Sequence, residues 1–211
     1  MVDVKLPKRF ATTFYVPPTE EEKEIYEELS AGIRLLHETA KSPELFTVRN
    51  LQMAAGSSPF ALKESIGHFL ARLSGGGTDG SVQAIFTEIQ RKLADIRTTS
   101  KGLHLLSLLQ QNQERKLVFV RYLQTLEYLA GLLKDNGYPF AVFSGSMTAR
   151  EKDAAIEAFR GDIPILLSTE TGGEGRNIQF CNTLINYDLP WNPMRLEQRI
   201  GRIHRIGQER D

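Results

Sequence analysis

Cysteine occurs once in the 211 residues, at Cys181, which excludes an internal disulfide framework and fits a reducing cytoplasm. The four histidines, His37, His68, His104 and His204, have neither a partner at metal-ligand spacing nor a second cysteine nearby, so the sequence offers no metal site. No apolar run approaches the length of a membrane span, and the opening "MVDVKLPKRF" lacks the apolar core of a signal peptide. Excess charge is missing too. With 26 Lys+Arg against 26 Asp+Glu, overall balance gives no hint of nucleic acid, and any such signal must come from local clustering. What is present is an ordinary globular composition, 41% hydrophobic and 25% charged, in a chain long enough for one sizeable core or two small ones.

The first half reads as helix. "ATTFYVPP" predicts a short strand stopped by Pro17 and Pro18. Thr19 then precedes a helix with acids in its first turn, and Ile25, Leu29, Gly32 and Leu36 recur along one face. Ser58-Pro59 is a second helix start, a cap followed by proline. "SGGGTDGS" (74–81) reads as a flexible break, because its glycines lack the lysine and Ser/Thr of a phosphate-binding loop.

The second half changes rhythm. "KLVFV" (116–120), "PFAVFSG" (139–145), "IPILLST" (163–169) and "TLINYDL" (183–189) are short apolar runs separated by helical segments. Strands apolar on both faces, alternating with helices, predict an α/β fold with a parallel sheet covered on both sides. Thr148 with Glu151 three residues on predicts a capping box. Such sheets place ligands beyond the carboxyl ends of their strands, so the loops after 120, 145, 169 and 189 are where function is sought.

The loop after 189 leads to the oddest stretch, "QRIGRIHRIGQ" (198–208). Asn192-Pro193 caps a helix expected over 193–206, with Leu196, Ile200 and Ile203 as its core stripe. Arg195, Arg199 and Arg202 share a neighbouring face, which Arg205 continues. Like charges at this spacing weaken an isolated helix by a few tenths of a kcal/mol per pair, and a mid-helix Gly201 costs roughly 1 kcal/mol against alanine. Two readings fit: a solvated basic face, or guanidiniums aimed at phosphate oxygens with Gly201 permitting close approach of another surface.

"QRIGRIHRIGQ" resembles motif VI of superfamily 2 helicases, and its "HRIGQ" ending resembles the Swi/Snf-type branch of DNA translocases. "LLSTETGGEGRNIQFCNTLINYDLPWNP" resembles that branch's motif V and the segment after it, "KLVFVRYLQTLEYL" its motif IV, and "SGSMTAREKDAAIEAF" the intervening loop and helix. Upstream, "LPKRFATTFYVPPTEEEKEIYEEL" resembles the segment leading into the family's second lobe, and residues 43–110 its helical protrusion. The "QRIGR" opening is similar to bacterial RNA-polymerase-associated members. The resemblance implies a leading strand and helical protrusion over 1–112 and a RecA-like second lobe over 113–211. Relatives follow motif VI with another strand and a bracing helix, whereas this chain ends at Asp211. That arrangement implies a sheet lacking an edge element, with apolar surface that could promote pairing.

Such motors hold ATP between two lobes, with DNA across both. The first lobe brings the phosphate-binding loop and the acidic magnesium motif; no G-x-x-x-x-G-K-[ST] and no strand-ending Asp-Glu pair occurs here. The resemblance therefore implies lobe two only, with ATP and magnesium held mainly by the first lobe. It implies that Arg202 and Arg205 are arginine fingers reaching the γ-phosphate and that Gln198 helps order the phosphate or attacking water. Gly175 and Asn177 match the nucleotide-binding end of motif V, where many relatives carry Asp in place of Asn177 to contact the ribose. On the DNA side, Thr169, the Ser144-Gly145 loop and Lys152 match backbone-phosphate contacts, Lys152 standing where relatives often have arginine. Thr169 could instead be a strand-end hydroxyl and Lys152 a solvated helix residue, while Trp191 is expected as core beneath the arginine helix.

The function these readings imply is one lobe of an ATP-driven double-stranded DNA translocase. Its partners would be duplex DNA, the first RecA-like lobe and RNA polymerase or another DNA-bound protein, in the cytoplasm (the nucleoid, or the nucleus of a eukaryote). No membrane partner is expected. The alternatives are a non-catalytic docking lobe for nucleic acid or protein, and an RNA helicase lobe, against which "WNP", "HRIGQ" and the helical insertion argue.

Overall fold

The computed structural model describes residues 8–39, 45–73, 80–169 and 178–203. They divide into two compact units, one covering Val16–His104 and the other made of the described residues before Val16 and from Leu105 onward.

In the first unit, α1 (Glu20–Thr39), α2 (Leu45–Ser57), α3 (Pro59–Leu73) and α4 (Gly80–Leu93) are followed by α5 (Ser100–Gln110), which runs on past the unit's end. Thr19 opens α1 with a reciprocal cap: its Oγ1 accepts from the Glu22 N–H at 3.1 Å and its own N–H donates to Glu22 Oε2 at 2.8 Å. The expected stripe is buried, Ile25, Leu29 and Leu36 joining Ile66, Phe69, Phe86 and Ile89 in one core. Gly32 is the contact point with α4: a Cβ there would lie 3.0 Å from Ile85 Cγ2 and 3.3 Å from the Phe86 ring. Ser58 caps α3, its Oγ accepting from the Ala61 N–H at 3.1 Å ahead of Pro59.

The second unit carries four parallel strands, β1 (Lys116–Val120), β2 (Phe140–Phe143), β3 (Ile165–Thr169) and β4 (Thr183–Asn186), in the order β2-β3-β1-β4. Between them run α6 (Leu123–Asp135) and α7 (Ala149–Arg160), with α8 (Pro193–Ile200) after β4. The central β1 and β3 are buried throughout, and two apolar clusters form, one around Val118, Leu129 and Leu167, the other around Phe119, Phe143 and Phe159. The edge strands β2 and β4 are mostly half-buried, so the full coverage expected of every strand holds only at the centre. The capping box of α7 forms as expected, Thr148 Oγ1 accepting from the Glu151 N–H and Glu151 Oε2 from the Thr148 N–H at 2.7 Å.

Two expectations fail. Residues 8–19 form neither helix nor strand, and Phe10, Phe14 and Tyr15 are exposed. β-propensity needs a partner edge to act on, and this segment pairs with neither β2 nor β4. The arginine helix is also shorter than expected: α8 ends at Ile200, with Gly201 as its C-cap at φ −60° and ψ −7°, not inside a helix reaching 206. Glycine at a helix end does not carry the mid-helix penalty.

Candidate nucleotide and nucleic-acid interface

The carboxyl ends of the strands gather most of the residues singled out in the sequence. Thr169 closes β3 opposite Val120 of β1; it is buried, and its carbonyl accepts from Ser168 Oγ at 3.1 Å. After β2 the chain turns sharply through Gly145. Ser144 is buried there, its N–H donating to Met147 Sδ at 3.3 Å and its Oγ lying 3.0 Å from Ser146 Oγ. That amide is committed to its own loop, and Gly145 and Ser146 are the exposed residues of the turn. Lys152 lies half-buried in the first turns of α7, its N–H donating to Thr148 O.

The chain returns to the same edge after β4. Asp188 is buried and its Oδ2 accepts from the Arg121 N–H at 2.8 Å, while the Tyr187 N–H donates to Phe119 O, so the loops following β1 and β4 are tied together. Arg121 sits at that junction with its guanidinium 5.7 Å from the Tyr122 ring centre. Burial pushes the Tyr122 hydroxyl up, with Arg121 pulling in the opposite direction.

α8 starts as the sequence predicts, with Asn192 Oδ1 accepting from the Met194 N–H at 2.9 Å and Pro193 in its first turn. Its faces differ from the expectation. Of the proposed core stripe only Ile203 is buried, Leu196 and Ile200 being half-buried. The arginines do not share one face. Arg195 is exposed and Arg202 half-buried, whereas Arg199 is 3% exposed. Its Nη1 donates to Asn186 Oδ1 at 2.8 Å and to Asp188 O at 2.6 Å, and its guanidinium lies 5.1 Å from the Phe119 ring centre. Sequence reasoning missed this role, because periodicity places four arginines without saying which meets acceptors. Gln198 is exposed on α8. A Cβ on Gly201 would meet the carbonyls of Glu197 and Gln198, both from its own helix, so no second surface approaches it among the described residues. Trp191, expected as core, is 74% exposed: the half-buried and buried positions of α8 are filled by Leu196, Ile200 and Arg199 instead.

Arg205, Gly175 and Asn177 lie outside the described residues. Among the described residues no three His, Cys, Asp or Glu side chains cluster as metal ligands. The opposite, amino end of the sheet is built for structure. Arg115 donates to the carbonyls of Phe159, Arg160 and Gly161 at 2.6–2.8 Å, closing the end of α7. Burial pushes the Lys116 ammonium down, partly offset by Glu114.

The chain is similar to several known proteins. The uncharacterised ATP-dependent helicase YqhH of Bacillus subtilis is 38% identical over 204 residues, covering 97% of this chain and 36% of that protein. The RNA polymerase-associated protein RapA of Proteus mirabilis is 44% identical over 112 residues, 51% of this chain and 12% of RapA. The chain thus spans only a part of the length of either relative. The solved C-terminal part of the Fun30 ATPase domain matches with a TM-score of 0.67 at 20% identity, covering 98% of this chain and 84% of that one, a likeness of fold. The family model described as the helicase conserved C-terminal domain matches residues 100–207, more than half of the sequence. The chain, with its parallel sheet, its flanking helices and its arginine-bearing α8, therefore belongs to the helicase conserved C-terminal domain family as a RecA-like lobe.

Proposed function

We propose that this chain is the second lobe of an ATP-dependent double-stranded DNA translocase of the Swi/Snf type. The observation that carries the reading is convergence: α8 is fastened at Asn186 and Asp188 to the carboxyl end of the parallel sheet, the end that also bears Thr169 and the Ser144-Gly145 turn. Ligands of such sheets bind at that end. In this reading Arg202 and Arg205 stabilise the charge that develops on the γ-phosphate of ATP held by a first lobe, and Gln198 orders the phosphate or attacking water. Such fingers contribute factors of about a thousand or more. Gly175 and Asn177 contact the nucleotide. Gly145, Ser144, Lys152 and Thr169 hold the DNA backbone without reading sequence. Magnesium and most nucleotide contacts fall to the first lobe, so this chain alone hydrolyses no ATP. The name of RapA, an RNA polymerase-associated protein, supports RNA polymerase as the partner; another DNA-bound protein and a cytoplasmic setting belong to the same proposal.

The test uses the protein in which this chain is joined to an ATP-binding first lobe. Arg202→Ala and Arg205→Ala are each expected to lower DNA-stimulated turnover by about a thousandfold while leaving duplex binding nearly intact. Arg202→Lys should rescue poorly, because an ammonium cannot fork two oxygens. Near-normal turnover of all three, with unchanged melting, would sink the reading. Comparing stimulation by duplex DNA and by RNA separates a DNA translocase from an RNA helicase. A second reading, a non-catalytic docking lobe, is favoured by one observation, the exposure of Leu189, Trp191 and Met194 ahead of and on α8. It predicts partner binding that survives both arginine substitutions.

A further inference from the structure

Arg199 is the charged residue of α8 that the fold encloses. Its two acceptors are themselves fixed: Asn186 is the last residue of β4, in register with Phe119, and Asp188 is held through its carboxylate to the Arg121 N–H. Phe119, whose ring the guanidinium faces, is buried in β1. The side chain therefore touches two neighbouring strands and the loop between sheet and helix. The backbone then passes this constraint on, because the Arg202 N–H donates to Arg199 O at 3.2 Å and the Ile203 N–H to Ile200 O at 3.1 Å. The turn bearing Arg202 starts on the latched residue.

We propose that Arg199 is a positioning residue for Arg202, fixing the rotation and register of α8 so that the Arg202 guanidinium points where charge develops during ATP hydrolysis. This rests on the arginine-finger reading above. An eight-residue helix is marginal by itself, and apolar contacts from half-buried Leu196 and Ile200 let it roll and slide. A planar guanidinium with two oriented acceptors and a ring beneath it permits one orientation. Leucine at 199 would keep apolar packing but take the Nη1 donor from Asn186 Oδ1 and Asp188 O, so melting is read beside turnover. What the guanidinium adds beyond packing is direction.

The experiment compares Arg199→Leu, Arg199→Lys and Asn186→Ala with Arg202→Ala in the two-lobe protein, reading kcat, KM for ATP, duplex affinity and melting. Arg199→Leu should fold, keep KM and duplex affinity within about twofold, and lose about a hundredfold in kcat, the scale expected when a group is misplaced by about 1 Å. Arg199→Lys should recover only part of the loss, remaining about tenfold down, because an ammonium lacks the flat guanidinium that lies over the Phe119 ring. Asn186→Ala, which leaves the helix sequence intact, should show the same split at about tenfold and decides the matter if Arg199→Leu fails to fold. Wild-type kcat in folded Arg199→Leu, full recovery by lysine, or an unchanged kcat in Asn186→Ala overturns the inference. If Arg202→Ala itself retains turnover, the finger reading has failed; if it collapses while the Arg199 and Asn186 variants do not, only the positioning role has.

Discussion

In the helical unit, Glu22, Ser58 and Thr99 are buried at helix starts, where each satisfies an amide of the first turn: Glu22 that of Thr19, Ser58 that of Ala61 and Thr99 that of Gly102. In the α/β unit, Ser144, Thr169, Asp188 and Arg199 are buried along one edge, the carboxyl ends of the strands and the helix fastened there. The helical unit encloses one apolar cluster and the α/β unit two. The difference lies in the task given to buried polar groups. In the first unit each caps a helix start through one partner three residues away. In the second, Asp188 and Arg199 join separate segments around the place where α/β sheets bind ligands, with Ser144 and Thr169 at the strand ends of that same edge. The first arrangement supports a body; the second supports a site.

Paired truncations in the two cores give the largest expected effects. Phe86 is fully buried with Phe69 edge-on at 4.8 Å, and Phe119 is fully buried in β1. Phe86→Ala and Phe119→Ala should each cost about 3–5 kcal/mol in urea unfolding. They should differ in activity: at temperatures where both remain folded, only Phe119→Ala removes the ring beneath Arg199 and should slow turnover in the two-lobe protein. Equal slowing by both would erase the contrast between body and site.

Next comes a pH effect confined to the α/β unit. Cys181 is buried with its sulfur 3.2 Å from the carbonyls of Arg115 and Thr183, and burial pushes its thiol up to about 11. The unfolded chain loses this proton near pH 9 while the folded one keeps it, so the stability is full below pH 9 and is lost as pH rises to about 11. The wild type should therefore lose roughly 2 kcal/mol more than Cys181→Ala across that window. Parallel stability curves for the two proteins count against it. Smaller again is the capping box. Thr148→Ala should cost about 1 kcal/mol by unfastening the start of α7. The smallest effect is Arg9→Ala. Its pair with Glu197 at 3.1 Å is exposed on both sides, and melting should move by less than the equivalent of about 0.5 kcal/mol. A larger shift would mean that the segment before Val16 braces α8.

The parts legible in the sequence were those whose cause is local. β1 and β3 announce themselves as unbroken apolar runs because both of their faces are covered. The caps at Thr19, Ser58, Thr148 and Asn192 follow from residue type at a fixed offset. What stayed hidden depends on partners far along the chain. "ATTFYV" has the composition of a strand and no edge to join. Trp191 has the composition of core, yet the space beneath α8 goes to an arginine. Arg199 is invisible as a buried residue until the fold brings Phe119, 80 positions away in the sequence, beside it.

Glu22 has one more partner. Its Oε2, already accepting from the Thr19 amide, also accepts from Ser100 Oγ at 2.7 Å, 78 residues downstream. The start of α1 and the start of α5 are thus closed over the same carboxylate. A unit whose two ends meet can be spliced into a host polypeptide as a loop is, without spreading the residues on either side of the splice. Changes in the helices of Val16–His104 then need not spread the residues that flank it, because its two ends are closed over one carboxylate.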